Sequence, residues 1–280
     1  MTINLSNESI FPITRDKNND IITTDVATSL KTSGTIQGEG ALIGVPSLFI
    51  RTSGCNLRCF FTSTNFHEPC DTEYTSWFPE QNNYEIDNII KIIKNNIGQM
   101  KHIVITGGEP MLQMESLIEL TRRIKNELKL HITIETNGTI FNDDLIEFVD
   151  LFSISPKLSN SNPNQIGKYK TKINHNKLRY NLSVLQDFIS YQHDEFSNVK
   201  LYDIQFKFVV TNKRDIVEIK SEYITKLNNF NNEDIMLMPL GMTVASLNES
   251  KHLVLSECIT NGWRYTSRLH IELFGNKIGV

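Results

Sequence analysis

From Pro46 onward, short runs of β-branched and aromatic residues alternate with longer stretches whose apolar residues recur at helical spacing. The pattern predicts strands over Ser47–Arg51, His102–Thr106, His131–Glu135, Leu151–Ser155, Ile204–Val210 and Ile235–Pro239. Between them, Ile89, Ile90 and Ile93 share one face of a helix predicted over Ile86–Ile97. Leu117, Leu120 and Ile124 share one face of another over Leu117–Leu128. A further helix is predicted over Ala245–Thr260. Repeated strand–helix–strand order implies a parallel sheet with helices packed outside it. Right-handed crossovers curl six such strands into a barrel or partial barrel. The predicted fold is therefore α/β, a modified partial (β/α)6 barrel. Residues 1–31 are polar and read as a short N-terminal extension, with a turn-like stretch Asp16–Asp20 that suits a hairpin. Residues 32–280 read as the core domain with a C-terminal closing segment. The Asn-rich stretches Ser159–Gln165 and Asn228–Asn232 read as loops.

In α/β barrels the loops at the strand C-termini build the active site. Here the cysteines follow the first strand, and Thr106-Gly107-Gly108-Glu109-Pro110 ends the second. Glu135-Thr136-Asn137-Gly138 ends the third, Ser155-Pro156-Lys157 the fourth, and Pro239-Leu240-Gly241 the sixth. Punctuation by Gly and Pro explains the glycines but not Glu109, Glu135 or Lys157. Arg51 closes an otherwise apolar strand, Leu48-Phe49-Ile50, where a guanidinium is a good bidentate receptor for a carboxylate. Alternation points Gln205 and Lys207 to one face of their strand, opposite Phe206 and Phe208. A lysine there suggests a polar interior; its partner stays unassigned. His270, between Leu269 and Ile271, reads either as a site residue or as a hydrogen-bonded packing residue.

The chain has four cysteines, and Cys55, Cys59 and Cys70 fall close together. Such clustering reads as metal or redox chemistry more readily than as a disulfide framework. Soft thiolates suit an iron–sulfur cluster or zinc. Three cysteines on a four-iron cubane leave one iron free to bind a substrate, whereas structural zinc would want a fourth ligand, for which His67 is available. Cys258, in the predicted C-terminal helix, reads as a small buried hydrophobe. Trp263 and Tyr265 read as core or dimer surface. With 28 Lys plus Arg against 32 Asp plus Glu, the net charge of −4 argues against a general nucleic-acid binder. No apolar run approaches the ~20 residues that cross a bilayer. No signal-like N-terminus is present, so a cytoplasmic location is expected.

Cys55-Asn-Leu-Arg-Cys59, followed by an aromatic residue and later by Cys70-Asp71-Thr72, resembles the radical S-adenosylmethionine (SAM) enzymes, whose usual pattern is Cys-x3-Cys-x2-Cys. The resemblance sharpens with Thr35-Ile36-Gln37-Gly38-Glu39-Gly40, Phe49-Ile50-Arg51, Thr106–Pro110, Glu135–Thr139, Ser155–Lys157 and Leu269-His270 through Gly275-Asn276-Lys277. Together these look like the 7-carboxy-7-deazaguanine synthase family, from about Thr32 to Val280 and most weakly across Ser159–Lys200. One departure stands out: position 62, where the third cysteine belongs, is threonine. Cys70 arrives eight residues late but is followed by Asp-Thr-Glu-Tyr, as the family's third cysteine is. The favoured account is an insertion, Thr62–Pro69, because a loop lengthens at small entropic cost when its ends stay fixed. The rival account leaves His67, or nothing, as third ligand.

The resemblance implies a 4Fe–4S cluster on Cys55, Cys59 and Cys70. It places SAM on Asp71, Gly108, Glu109, Ser155, Pro156 and Lys157, and Mg2+ on Thr72. It places the substrate on Ile36, Gln37, Gly38, Glu39, Arg51, Thr106, Glu135 and His270. The implied activity is that of a lyase: reductive cleavage of SAM, hydrogen abstraction from C6 of 6-carboxy-5,6,7,8-tetrahydropterin, ring contraction, and loss of ammonia to give 7-carboxy-7-deazaguanine. SAM is regenerated, and the product feeds 7-deazapurine pathways such as queuosine. The implied partners are a small-molecule pterin, an electron donor such as flavodoxin or ferredoxin, and a second copy in a homodimer, with neither nucleic acid nor membrane. Two other readings are a different radical SAM enzyme, such as a glycyl-radical activase, and a non-enzymatic zinc-binding module. The activase would call for extra ferredoxin-like cysteine clusters, which the sequence lacks.

Overall fold

The computed structural model describes residues 1–15, 21–22, 33–62, 67–194, 196–197 and 199–279. Its main sheet has ten strands: β1 (Thr2–Phe11), β2 (Thr35–Ile36), β3 (Pro46–Thr52), β4 (Asn82–Glu85), β5 (His102–Gly107), β6 (His131–Thr136), β7 (Leu151–Ile154), β8 (Asp203–Val210), β9 (Ile235–Pro239) and β10 (Arg264–Tyr265). Their order is β10-β9-β8-β7-β6-β5-β3-β1-β4, with β2 on β3. All six neighbouring pairs from β3 to β10 are parallel. The helices that cross between them include α1 (Ile86–Asn96), α2 (Met114–Arg123), α3 (Leu182–Ser190), α4 (Lys213–Glu218) and α5 (Val244–Asn261), followed by the terminal α6 (Leu269–Phe274). This is the predicted partial barrel, with β10 as a seventh parallel strand. Among the described residues, no helix is long and apolar enough to cross a membrane.

The alternation of the strands separates two chemistries. Leu48, Ile50, Ile103, Ile105, Ile132, Ile134, Phe152, Ile154, Phe206 and Phe208 all enter the main core under the helices. Their sequence neighbours Phe49, Arg51, Thr106, Glu135, Ser153 and Lys207 line a cavity on the opposite face. A slip of one residue in register would exchange the two sets, so burial on the helix side fixes which side chains face the cavity.

The N-terminus differs from the expected extension. Residues 2–11 form β1, antiparallel to both β3 and β4. Ile3 and Leu5 are buried in the main core, and Phe11 stacks on Phe49 at 5.4 Å between ring centroids. The pairing shifts register between Leu5 and Ile10, so the period-two pattern breaks mid-strand and the polar sequence hides a core strand. The expected hairpin has a counterpart in Thr14–Arg15 paired antiparallel with Ile21–Ile22. Residues 16–20 and 23–32 lie outside the described residues. At the other end, Trp263 and Cys258 are buried in the core, and Tyr265 packs against it.

Candidate active site

A small β-hairpin shapes the cysteine loop. Phe60–Thr62 pairs antiparallel with His67–Pro69, Phe60 opposite Pro69 and Thr62 opposite His67. The eight extra positions thus leave and return at one place, and the Cys70 amide donates to the Cys59 carbonyl at 3.0 Å. The Trp77 indole donates to the same carbonyl at 2.9 Å. Cys55, Cys59 and Cys70 all line the cavity, with Asp71 and Thr72 beside them. Thr62 instead accepts from the Asn164 amide at 3.1 Å, and His67 is exposed; neither lines the cavity.

The donor set fits a cluster. Burial pushes the Cys55 thiol up to about 12, with the Glu109 charge adding to it, and burial also raises Cys59 and Cys70. Thiols raised in this way need a cationic centre before they ionise together. Among the described residues, no three His, Cys, Asp or Glu side chains close on one point as ligands of a single ion. A cubane takes its thiolates on separate irons, one per cysteine.

The β5 end is built by close backbone approach. A Cβ on Gly108 would stand 2.1 Å from the Gly54 carbonyl oxygen, so only glycine lets this turn lie against the cysteine loop. Glu109 is wholly buried and accepts from Thr136 Oγ1 at 2.8 Å, the Asn137 amide at 2.7 Å and the Met111 amide at 3.1 Å. Its carboxylate therefore braces the ends of β5 and β6, and it does not line the cavity. Pro156 does not line it either. Every other residue that the sequence assigned to cofactor, metal or substrate does. In the Ser155–Lys157 turn, the lysine amine donates to Ser155 Oγ at 2.7 Å.

On the cavity face, Thr106 donates to one oxygen of Glu135 at 2.8 Å and the Gln37 amide to the other at 3.1 Å. Arg51 lies over the Phe11 ring at 4.8 Å, and its Nε is buried with no hydrogen-bond partner. A guanidinium at a cavity wall whose buried Nε lacks a protein partner suits an anion brought by a ligand. Gly38 lies so close to His270 that a Cβ there would meet Nδ1 at 2.1 Å. The Leu269 amide donates to the Gly38 carbonyl at 2.8 Å, which ties the C-terminal helix to the Gln37–Glu39 turn.

Glu39 accounts for the polar interior. It pairs with Lys207 and, at 2.8 Å, with Arg268 Nε, while Arg268 also reaches Asp71 at 2.6 Å. Burial pushes the Glu39 carboxyl up, but Lys207 and Arg268 outweigh it and hold the group well below the usual carboxylate range. Lys207 was legible as a lysine in the interior; Arg268 gave no local signal, because its partners lie about two hundred positions away in the chain. Asn137, within a motif already noted, went unassigned. Its amide donates to Asn56 Oδ1 at 2.9 Å and lies 3.9 Å from Cys55 Sγ.

Residues 49–183 match the Radical SAM superfamily. The chain is 38% identical over 249 residues to a 7-carboxy-7-deazaguanine synthase of Halobacterium salinarum, covering 86% of this chain and 88% of that protein. It is 36% identical over 246 residues to the enzyme of the same name from Rhodopirellula baltica, covering 87% and 85%. The crystal structure of QueE from Escherichia coli superposes with a TM-score of 0.61 at 21% identity, covering 96% of this chain and 95% of that one, and shows the shared fold. Sequence identity at this level over nearly the whole length places the chain in the 7-carboxy-7-deazaguanine synthase family of the radical SAM superfamily.

Proposed function

We infer that the chain is a radical SAM lyase converting 6-carboxy-5,6,7,8-tetrahydropterin to 7-carboxy-7-deazaguanine and ammonia, in 7-deazapurine biosynthesis of the queuosine type. Family membership supports this reading, and one observation carries it to the site: Arg51, whose buried Nε has no protein partner, lines the same cavity as three cysteines. That pairing suits a carboxylated substrate held beside a cluster.

In this reading Cys55, Cys59 and Cys70 hold the 4Fe–4S cluster. When bound, the cluster and SAM supply the one-electron chemistry that abstracts hydrogen from the substrate. The protein's own residues bind and orient. Arg51 takes the substrate carboxylate through its fork. Glu135, fixed by Thr106 and Gln37, offers carboxylate oxygens to ring N–H donors. Glu39 stays ionised through its two cationic neighbours and presents a fixed negative charge on the same wall. Gly108 with the Ser155–Lys157 turn receives SAM, and Asp71 is held toward the cavity by Arg268. Thr72 Oγ1, 3.4 Å from Cys70 Sγ, is a hard oxygen donor suited to Mg2+ beside the substrate carboxylate.

The reaction needs an external electron, for which we propose a flavodoxin or ferredoxin. The fourth cysteine, Cys258, is buried in α5 with its thiol against the Arg264 carbonyl at 3.3 Å, away from the cavity. We further propose a cytoplasmic homodimer acting on a small molecule, with neither nucleic acid nor membrane as partner; analytical ultracentrifugation checks the dimer. The function itself is tested by anaerobic turnover of the carboxytetrahydropterin with SAM, Mg2+ and reductant, followed by chromatography. Product formation is expected. Reductive SAM cleavage without deazapurine product would replace this substrate with another.

A further inference from the structure

The stretch between β7 and α3 supplies a contact to the cysteine loop. Its short helical turn His175–Leu178 brings His175 to a wholly interior position, 1% exposed. The Arg58 amide, inside the Cys55–Cys59 segment, donates to His175 Nδ1 at 3.1 Å. Nδ1 must then be unprotonated, so the ring proton sits on Nε2. Nε2 faces Ser161 Oγ at 3.1 Å, and the Ser161 hydroxyl donates to the Leu158 carbonyl at 2.7 Å. Every donor in this chain has one acceptor, and the order fixes both the tautomer and the ring orientation. The next residue beyond the turn braces the neighbouring loop: Arg179 donates to the Lys157 carbonyl at 2.9 Å and to Glu218 at 2.9 Å.

The consequence lies in the peptide that His175 grips. Arg58 is adjacent to Cys59, and its guanidinium donates to the Cys55 carbonyl at 2.7 Å and the Leu57 carbonyl at 2.8 Å. The Leu57 amide points at Cys55 Sγ at 3.4 Å. The conformation of this short segment sets where Cys55 and Cys59 present their sulfurs. Its Arg58 amide has no other acceptor among the contacts described, so without His175 a part-buried donor is left unpaired.

We propose that His175 is a positioning residue for the iron–sulfur cluster, holding the Cys55–Cys59 segment in its ligating conformation through Nδ1 and coupling it, through Ser161, to the turn that follows Lys157. The proposal rests on the reading of Cys55, Cys59 and Cys70 as cluster ligands. A partner behind a ligand-bearing segment acts on metal retention as the outer shell of metal sites does.

The test compares wild type with His175→Ala, His175→Asn and Ser161→Ala after anaerobic reconstitution. Asparagine places an acceptor oxygen near the Nδ1 position, so it preserves the grip on the Arg58 amide. The readouts are iron and sulfide per chain, the rate of iron release to a chelator, the electron paramagnetic resonance spectrum of the reduced protein with and without SAM, and the melting temperature of each cluster-free protein. His175→Ala should release iron about 10-fold faster or more, with a changed spectrum on SAM addition. His175→Asn should lie closer to wild type than to alanine. Ser161→Ala, which leaves the Arg58–Nδ1 bond in place, should release iron at a rate between those of wild type and His175→Ala. Release from His175→Ala at the wild-type rate would overturn the proposal. So would equally fast release from the asparagine and alanine variants with matching drops in melting temperature, since that is packing alone. If His175→Ala does not fold, unchanged release from Ser161→Ala overturns it. A wild type that assembles no iron and sulfide would sink the ligand reading itself, and this inference with it.

Discussion

The two faces of the parallel sheet share every strand, yet they are built to different ends. On the helix side, Ile50, Ile105, Ile134 and Phe206 belong to the apolar core and are fully buried. On the cavity side, the neighbours Arg51, Thr106, Glu135 and Lys207 are polar, and their pairing is uneven. Glu135 and Glu39 are held by protein partners, while the buried Arg51 Nε has none. The helix face is complete without a ligand and the cavity face is not. Substitutions on the first should therefore act on stability, and substitutions on the second on binding and turnover.

The largest separation is expected from Phe206→Ala. It removes a wholly buried ring from the helix side and should cost about 3–5 kcal/mol in denaturant unfolding. Substrate affinity of the molecules that remain folded should change little. A large fall in affinity at unchanged stability would break the division between the faces.

Arg51→Lys is the converse. Charge is kept but the planar fork is lost, so substrate binding should weaken by roughly 1.5–3 kcal/mol while the unfolding midpoint holds. Unchanged kinetics in both Arg51→Lys and Arg51→Ala would remove Arg51 from the site.

A pH titration sharpens the comparison at the N-terminal ends of the strands. His102 is bound by Ser47 Oγ at 2.7 Å and Thr133 Oγ1 at 2.8 Å. Burial, reinforced by His131, pushes its imidazole down from 6.5 to about 4. Between these values the unfolded chain binds the proton and the folded one does not. Stability from this group is therefore complete above 6.5 and falls as pH drops toward 4, with a slope of up to about 1.4 kcal/mol per pH unit. His102→Gln should flatten the unfolding free energy across that window, with His175, also pushed down to about 4, supplying a remaining slope. An identical slope in the variant would contradict this.

The smallest effect is expected at Thr72. Thr72→Ala should lower Mg2+-dependent turnover by about 1 kcal/mol, a few-fold, with Thr72→Ser retaining more activity. Equal activity with and without Mg2+ in all three proteins would leave Thr72 as a loop residue.

Legibility in the sequence followed the same division. The six parallel strands were readable because burial on the helix side enforces strict apolar alternation, and the chemistry was readable because it sits at their ends. β1 was not, because its register shift between Leu5 and Ile10 breaks the alternation. That Cys70 lines the cavity with Cys55 and Cys59 accords with the reading made from Asp71-Thr72, but its route through a hairpin, Phe60–Thr62 against His67–Pro69, depends on pairing that no motif records. Glu109 was legible as important, but the bonds by which it braces two strand ends, to Thr136 and Asn137, are ones no motif records. Arg268 and His175 were invisible because each acts on a residue more than a hundred positions away.

The central claim is that the cavity face is completed by a cluster whose third ligand is Cys70, delivered by the inserted hairpin. Iron and sulfide in Cys70→Ala and Thr62→Ala after anaerobic reconstitution test it most directly. The account predicts loss of the SAM-cleaving cluster in Cys70→Ala and wild-type content in Thr62→Ala. A full, SAM-cleaving cluster in Cys70→Ala would contradict it.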